Sequence, residues 1–286
     1  MNDFYVIFTA CLVAINCSLM GSFLVMRRMV MIGDAISHAV LPGIFIAYYF
    51  SGSTASFPML IGAAGSGILA TLMIEWFTKK AKLQSDASIG ISYTLLFALG
   101  IILISKYGAN ADLDQQCVLY GEIEYVSLWL QPIIGGFSLP RQAVILLVVC
   151  VVLISAVAWG YKGLFITTFD PNFALSTGVA VSFWHYFLMG GVSLTTVVSF
   201  ESVGAILVIA FLSGPPAIAY LLTEDFKKML FLSAAIGIVC SFIGYYFAKA
   251  MDVSVAGAIS AVIGILFALA FIFTKLRKSK VDVISA

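Results

Sequence analysis

The chain is built from apolar runs separated by short polar joints. Runs long enough to cross a bilayer, which takes about 20 residues of helix, fall at 4–26, 30–50, 57–77, 88–105, 142–160, 179–199, 201–222, 229–248 and 253–274. The expected fold is all-α: a polytopic membrane protein with about nine (eight to nine) transmembrane helices. The pair at 179–222 has no strong break between its halves, which leaves a re-entrant piece open there. No linker, low-complexity tract or soluble segment interrupts the pattern, so residues 1–286 read as a single integral-membrane domain.

Basic residues orient the path. Arg27 and Arg28 follow the first run, Lys79, Lys80 and Lys82 the third, Lys162 the fifth, Lys227 and Lys228 the seventh, and the basic stretch 275–280 the ninth. All lie at the same end of an alternating path, the end that the positive-inside rule assigns to the cytoplasm. The joints at 51–56, 193–200 and 251–252 carry no Lys or Arg. Lys106 and Arg141 are the exceptions, at the two ends of a long outer segment. The expectation is a multi-pass protein of the cytoplasmic (inner) membrane, N-terminus outside and C-terminus inside. Residues 1–5 include Asp3 and no basic residue, the reverse of a signal peptide, so the first helix is expected to stay.

Composition agrees: 62% of residues are hydrophobic and 10% charged, against about a quarter charged in a soluble chain. A net charge of +1 and the lack of basic clusters interleaved with aromatics argue against a nucleic-acid partner. Cys11, Cys17, Cys117, Cys150 and Cys240 are scattered and form no CxxC, so neither a disulfide framework nor a zinc ribbon is indicated. Cys117 reads as a free thiol in the outer segment. Asp112, Asp114, Glu122 and Glu124 in that segment either gather cations at an entrance or belong to an ordinary solvated loop. The apolar piece at 125–134 reads as a short interfacial helix.

Candidate chemistry sits at 31–43, MIGDAISHAVLPG. Asp34 and His38 are four residues apart, so on a helix both side chains share a face and can reach one cation. A carboxylate with an imidazole suits zinc, manganese or ferrous iron better than an alkali cation. An ionisable residue at membrane depth is costly and by default marks a functional site. The competing account has Asp34 capping a helix or pairing with a base, and His38 bonding a carbonyl. Ser37 offers a hydroxyl beside the pair. Gly33, Gly43 and the helix-breaking Pro42 point to close packing or a local break.

Four further features stand out along the chain. Glu201 opens the run at 201–222 and is a third ligand, a gate acid or a water-satisfied interfacial residue. Gly214, Pro215 and Pro216 are expected to interrupt that run, as in the broken helices of transport pathways. Residues 163–178, GLFITTFDPNFALSTG, are too polar to span. There Asp170 and Pro171 read as a helix start, followed by a short cytoplasmic helix at 172–177. Phe169 and Phe173 are its exposed knobs, suited to a partner's groove or to lipid headgroups. His185, among aromatics, reads as an interior histidine.

With these residues in place, the chain resembles, over nearly its full length, the permease subunits of ATP-binding-cassette importers for manganese, zinc and iron. The resemblance is carried by GDAISHAVLPG at 33–43, FDPNFA at 169–174 and the stretch 203–222 ending in PPAIAYLL. It implies a second permease copy or paralogue, cytoplasmic ATP-binding subunits and an extracytoplasmic metal-binding protein. It implies that Asp34 and His38 hold the passing metal, with no permanently bound cofactor. It also implies that Phe169, Asp170, Pro171, Asn172, Phe173 and Ala174 form the coupling helix that meets the ATPase. Glu201 falls where many members carry Gln. The SFESVG run at 199–204 looks more like the manganese and iron members than the zinc ones. The chain lacks a GxxxxGK[ST] phosphate loop, so ATP hydrolysis needs a separate subunit and the chain itself is not expected to be an enzyme.

Two other classes compete. A proton-coupled secondary metal carrier would relay protons through Asp34, His38 and Glu201, and would leave the 169–177 helix without a partner. An intramembrane metalloprotease wants an HExxH pair, whereas the two histidines, His38 and His185, lie in distant runs.

Overall fold

The computed structural model describes residues 2–51, 56–107, 123, 130–133 and 137–284. Its helices are α1 (Asn2–Met26), α2 (Met31–Ser51), α3 (Ser56–Lys79), α4 (Ser85–Tyr107), α5 (Arg141–Phe169), α6 (Pro171–Ser176), α7 (Val181–Val203), α8 (Ala205–Leu222), α9 (Phe226–Met251) and α10 (Val255–Ile284). Among the described residues 9 helices are long and apolar enough to span a membrane, all but α6. A two-stranded antiparallel hairpin, β1 (Leu130–Ile133) and β2 (Phe137–Pro140), precedes α5. It replaces the interfacial helix expected at 125–134 wherever that piece is described. Cys117, Asp112, Asp114, Glu122 and Glu124 lie outside the described residues.

Helix α1 is the axis of the bundle, packed against α5, α7, α8 and α9. Its small residues let neighbours approach: a Cβ on Gly21 would come within 2.1 Å of the Leu212 carbonyl oxygen of α8. That contact also explains a departure from the sequence pattern. The run at 205–222 stays helical through Pro215 and Pro216. Pro216 has no N–H to give the Leu212 carbonyl. The orphaned oxygen turns against Gly21, where protein rather than lipid covers it, as backbone groups in a bilayer require.

Helix α2 packs against α3 and α4, and its inner side meets α7 and α8. It too is continuous through its proline, Pro42. Glycines set its distance from each neighbour. Gly43 and Gly62 cross with room for no Cβ, and Gly33 receives Leu212 of α8. Helix α10 covers α8 and α9.

Chain reversals are closed by backbone devices. Arg28 takes a left-handed conformation (φ 57), and Met29 N–H reaches Leu24 O at 2.9 Å, the 6→1 bond that satisfies the last carbonyls of α1. Asp252 ends α9 in the same way, at φ 52. Between α7 and α8 stands Gly204 alone, at φ 79 and ψ 167. That region is open essentially to glycine only.

Basic residues gather at one end of the bundle, where a cavity of about 470 Å³ is lined by Arg27, Arg28 and Lys79. Lys249, near the opposite end, runs against this charge bias and is paired there with Asp3.

Candidate functional site

Asp34 and His38 lie one turn apart on α2, with His38 Nε2 3.3 Å from Asp34 Oδ1. Each side chain keeps about a quarter of its surface exposed (26% for Asp34, 28% for His38). The residues around them on the same helix, Gly33, Ala35, Ile36, Ser37, Ala39 and Val40, are buried. The pair is thus the accessible polar strip of an otherwise buried stretch, residues 32–40. Ser37 does not join it, because its hydroxyl donates to the Gly33 carbonyl at 3.0 Å.

Helix α4 supplies a wall. The His38 ring lies 5.7 Å from Tyr93 and 5.6 Å, edge-on, from Phe97. The two helices come this close because Gly100 of α4 sits against Leu41 and Pro42 of α2. Tyr93 and Phe97 were missed in the sequence. They are four residues apart, but two aromatics at helical spacing in an apolar run look like any core stripe.

One carboxylate and one imidazole are a borderline donor set that fits a divalent transition metal. Two ligands alone would hold it loosely compared with a closed structural zinc site. Among the described residues no group of three or more His, Cys, Asp and Glu comes together. Glu201 stands exposed near the C-terminal end of α7, shortly before Gly204, and is not gathered with Asp34 and His38.

The second candidate site is α6. Asp170 accepts a hydrogen bond from Phe173 N–H at 2.9 Å, and Pro171 occupies the first turn. Gly178 at φ 77 and the bond from Val179 N–H to Ala174 O (2.9 Å) close the other end. A six-residue helix is too short to persist unaided, so this double capping accounts for its presence. Ala174 is fully buried and pins the helix to the bundle. Phe173 and Leu175 stay more than half exposed. Phe169 rests one face on Phe165 and Phe226, with ring centroids 4.7 and 5.5 Å away, and leaves the rest open. The helix thus starts where Asp170 and Pro171 placed it. Residues 163–169, expected outside the membrane run, continue α5 instead.

His185 is more than an interior histidine. It lines the basic cavity, and Arg27 Nη1 reaches its Nδ1 at 3.5 Å. Glu75, which drew no notice in the sequence, faces the same cavity and pairs with Lys79 one turn on. A lone acid inside the run at 57–77 was the available signal.

Comparison with known proteins agrees with this architecture. The model of the ABC 3 transport family matches residues 3–274. The chain is 46% identical over 274 residues to the manganese transport system membrane protein MntD of Bacillus subtilis, covering 94% of this chain and 91% of that one. It is 40% identical to the zinc transport system membrane protein TroD of Treponema pallidum, over 94% and 73% of the two chains. Among solved structures, PsaBC from Streptococcus pneumoniae in complex with Fab superposes with a TM-score of 0.77 at 32% identity, covering 93% of this chain and 90% of that chain. A multi-pass helical bundle, the motif at 33–43 and a match along almost the whole sequence lead to one assignment: the chain belongs to the ABC 3 transport family, as a membrane permease of the metal-importer kind that its motifs resemble.

Proposed function

We propose that this permease carries a divalent transition metal (manganese, zinc or iron) inward in an ATP-driven importer, with Asp34 and His38 as its transient ligands. The observation that supports this most is the 3.3 Å Asp34–His38 pair, about a quarter exposed in the buried stretch 32–40 of α2 in a metal-importer-type permease. A second copy of the chain, or a paralogue, contributes a matching pair at the dimer interface. The ligand count then reaches about four, enough to hold the ion without trapping it. Glu201 acts nearer the outer side, as a gate acid or a further ligand in another state.

An extracytoplasmic binding protein delivers the ion to the outer face. A cytoplasmic ATP-binding subunit receives Phe169, Asp170, Pro171, Asn172, Phe173 and Ala174 in a groove on its surface. Its rearrangement pushes α6 and switches the access of the metal site from one side to the other. Residues 1–286 act as one integral unit in the cytoplasmic membrane, N-terminus outside.

The test is accumulation of manganese, zinc and iron, each after starvation for that metal, in cells carrying Asp34→Ala or His38→Ala. Uptake of one metal should fall at least tenfold in both variants while the protein remains in the membrane at normal level. Near-normal uptake by either variant overturns the site.

A further inference from the structure

Arg27 is the best-connected polar side chain at the cytoplasmic end, yet it plays no part in the site described above. Its Nε donates to Thr168 Oγ1 at 3.0 Å, its Nη2 to Thr167 Oγ1 at 3.1 Å, and its Nη1 reaches His185 Nδ1 at 3.5 Å. Both threonine hydroxyls spend their proton on α5 carbonyls, Thr167 on Gly163 and Thr168 on Leu164. Toward Arg27 they can therefore only accept, and the guanidinium fork supplies both donors.

The placement of these partners carries the inference. Thr167 and Thr168 are among the last residues of α5, immediately before Asp170 and α6. His185 lies in the first turns of α7, immediately after α6. One side chain thus holds both legs of the coupling helix. Arg27 itself stands in the joint between α1 and α2, whose backbone bonds (Ile32 N–H to Met29 O, Gly33 N–H to Val30 O) lead directly into the turn bearing Asp34. The path from α6 to Asp34 is the three Arg27 hydrogen bonds to its legs and the stretch of chain 28–34.

The chemistry of the clasp fits a moving part better than a static one. A half-buried arginine serving only stability is expected to face a carboxylate. Among the described residues none lies within ion-pair distance of Arg27, and Glu75 beside it is engaged by Lys79. Bonds to neutral hydroxyls and an imidazole are each modest and can be exchanged one for another as the legs shift.

Resting on the reading of α6 as the coupling helix, we propose that Arg27 is a positioning residue for transport: it transmits displacement of α6 to the α1–α2 joint and so to Asp34 and His38. The experiment uses the complete importer, permease with ATPase and binding protein, in lipid vesicles with manganese as the probe. Manganese moved and ATP hydrolysed are measured together for Arg27→Gln and for Thr167→Val combined with Thr168→Val, which keeps the arginine and its charge. Both variants should assemble with the ATPase and hydrolyse ATP within about twofold of the unsubstituted importer. Manganese moved per ATP should drop at least fivefold, an uncoupling that a purely structural arginine does not produce. An unchanged ratio, or assembly and hydrolysis falling in step with transport, overturns the proposal. Failure of the coupling-helix reading is distinguishable because it is read from a separate variant, Asp170→Ala with Phe173→Ala, as an importer that binds its ATPase and moves manganese per ATP as the unsubstituted one does.

Discussion

At the scale of single residues, the Asp34–His38 pair was legible and its surroundings were not. Asp34 and His38 announce themselves because an acid and a histidine at helical spacing are rare in an apolar run, where an ionised group costs several kcal/mol unless it is paired or hydrated. Tyr93 and Phe97 give no such signal, since apolar side chains are the default of the run they occupy. Their position beside the His38 ring predicts a role in holding it. Tyr93→Ala should lower metal uptake severalfold, and Tyr93→Phe, which keeps the ring, should restore most of it. Equal losses in both would transfer the role to the hydroxyl. Arg27 was visible only as a topological charge; its partners lie 140 and 158 residues away, a separation that no local pattern encodes.

At the scale of elements, hydrophobic length located the spanning helices and the Asp-Pro pair located α6, because both signals are local. The expected interruption at Pro215 and Pro216 failed for a tertiary reason. The carbonyl that Pro216 strands is sheltered by Gly21 of a neighbouring helix, and propensity cannot see that neighbour. The extension of α5 over 163–169 has a similar origin: the polar threonines there are satisfied by Arg27 and by their own helix.

Two outcomes belong to this scale. Asp170→Ala removes the N-cap of α6, a loss of about 1 kcal/mol. Together with Phe173→Ala it should reduce co-purification of the ATPase; full recovery of the complex would leave α6 as a helix resting on lipid headgroups. Gly43→Ala drives a Cβ to within 2.1 Å of the Gly62 carbonyl oxygen. It should destabilise the α2–α3 crossing by about 1–3 kcal/mol, seen as a lower Tm in detergent. Gly65→Ala, which meets nothing within 4 Å, is the control.

At the scale of the whole molecule, the bundle gathers Arg27, Arg28 and Lys79 at one end and pairs Lys249 with Asp3 at the other. The pairing explains why a basic residue is tolerated there, since a neutralised lysine opposes the charge bias less than a free one. A fluorescent reporter fused after Ala286 should therefore light up on the cytoplasmic side; a silent fusion at normal expression would reverse the orientation. The same end gathers Arg27, His185 and Pro171 of α6, so the proposed coupling helix and the joint leading to Asp34 share one region.

The account turns on whether a metal ion in transit is held by Asp34 and His38. The most direct measurement is the electron paramagnetic resonance spectrum of Mn²⁺ bound to the purified permease, with nitrogen couplings resolved by pulsed methods. The account predicts an imidazole nitrogen coupling that disappears in His38→Ala and bound Mn²⁺ that falls in Asp34→Ala. A nitrogen coupling that persists in His38→Ala, with Mn²⁺ bound at full stoichiometry in both variants, would contradict it.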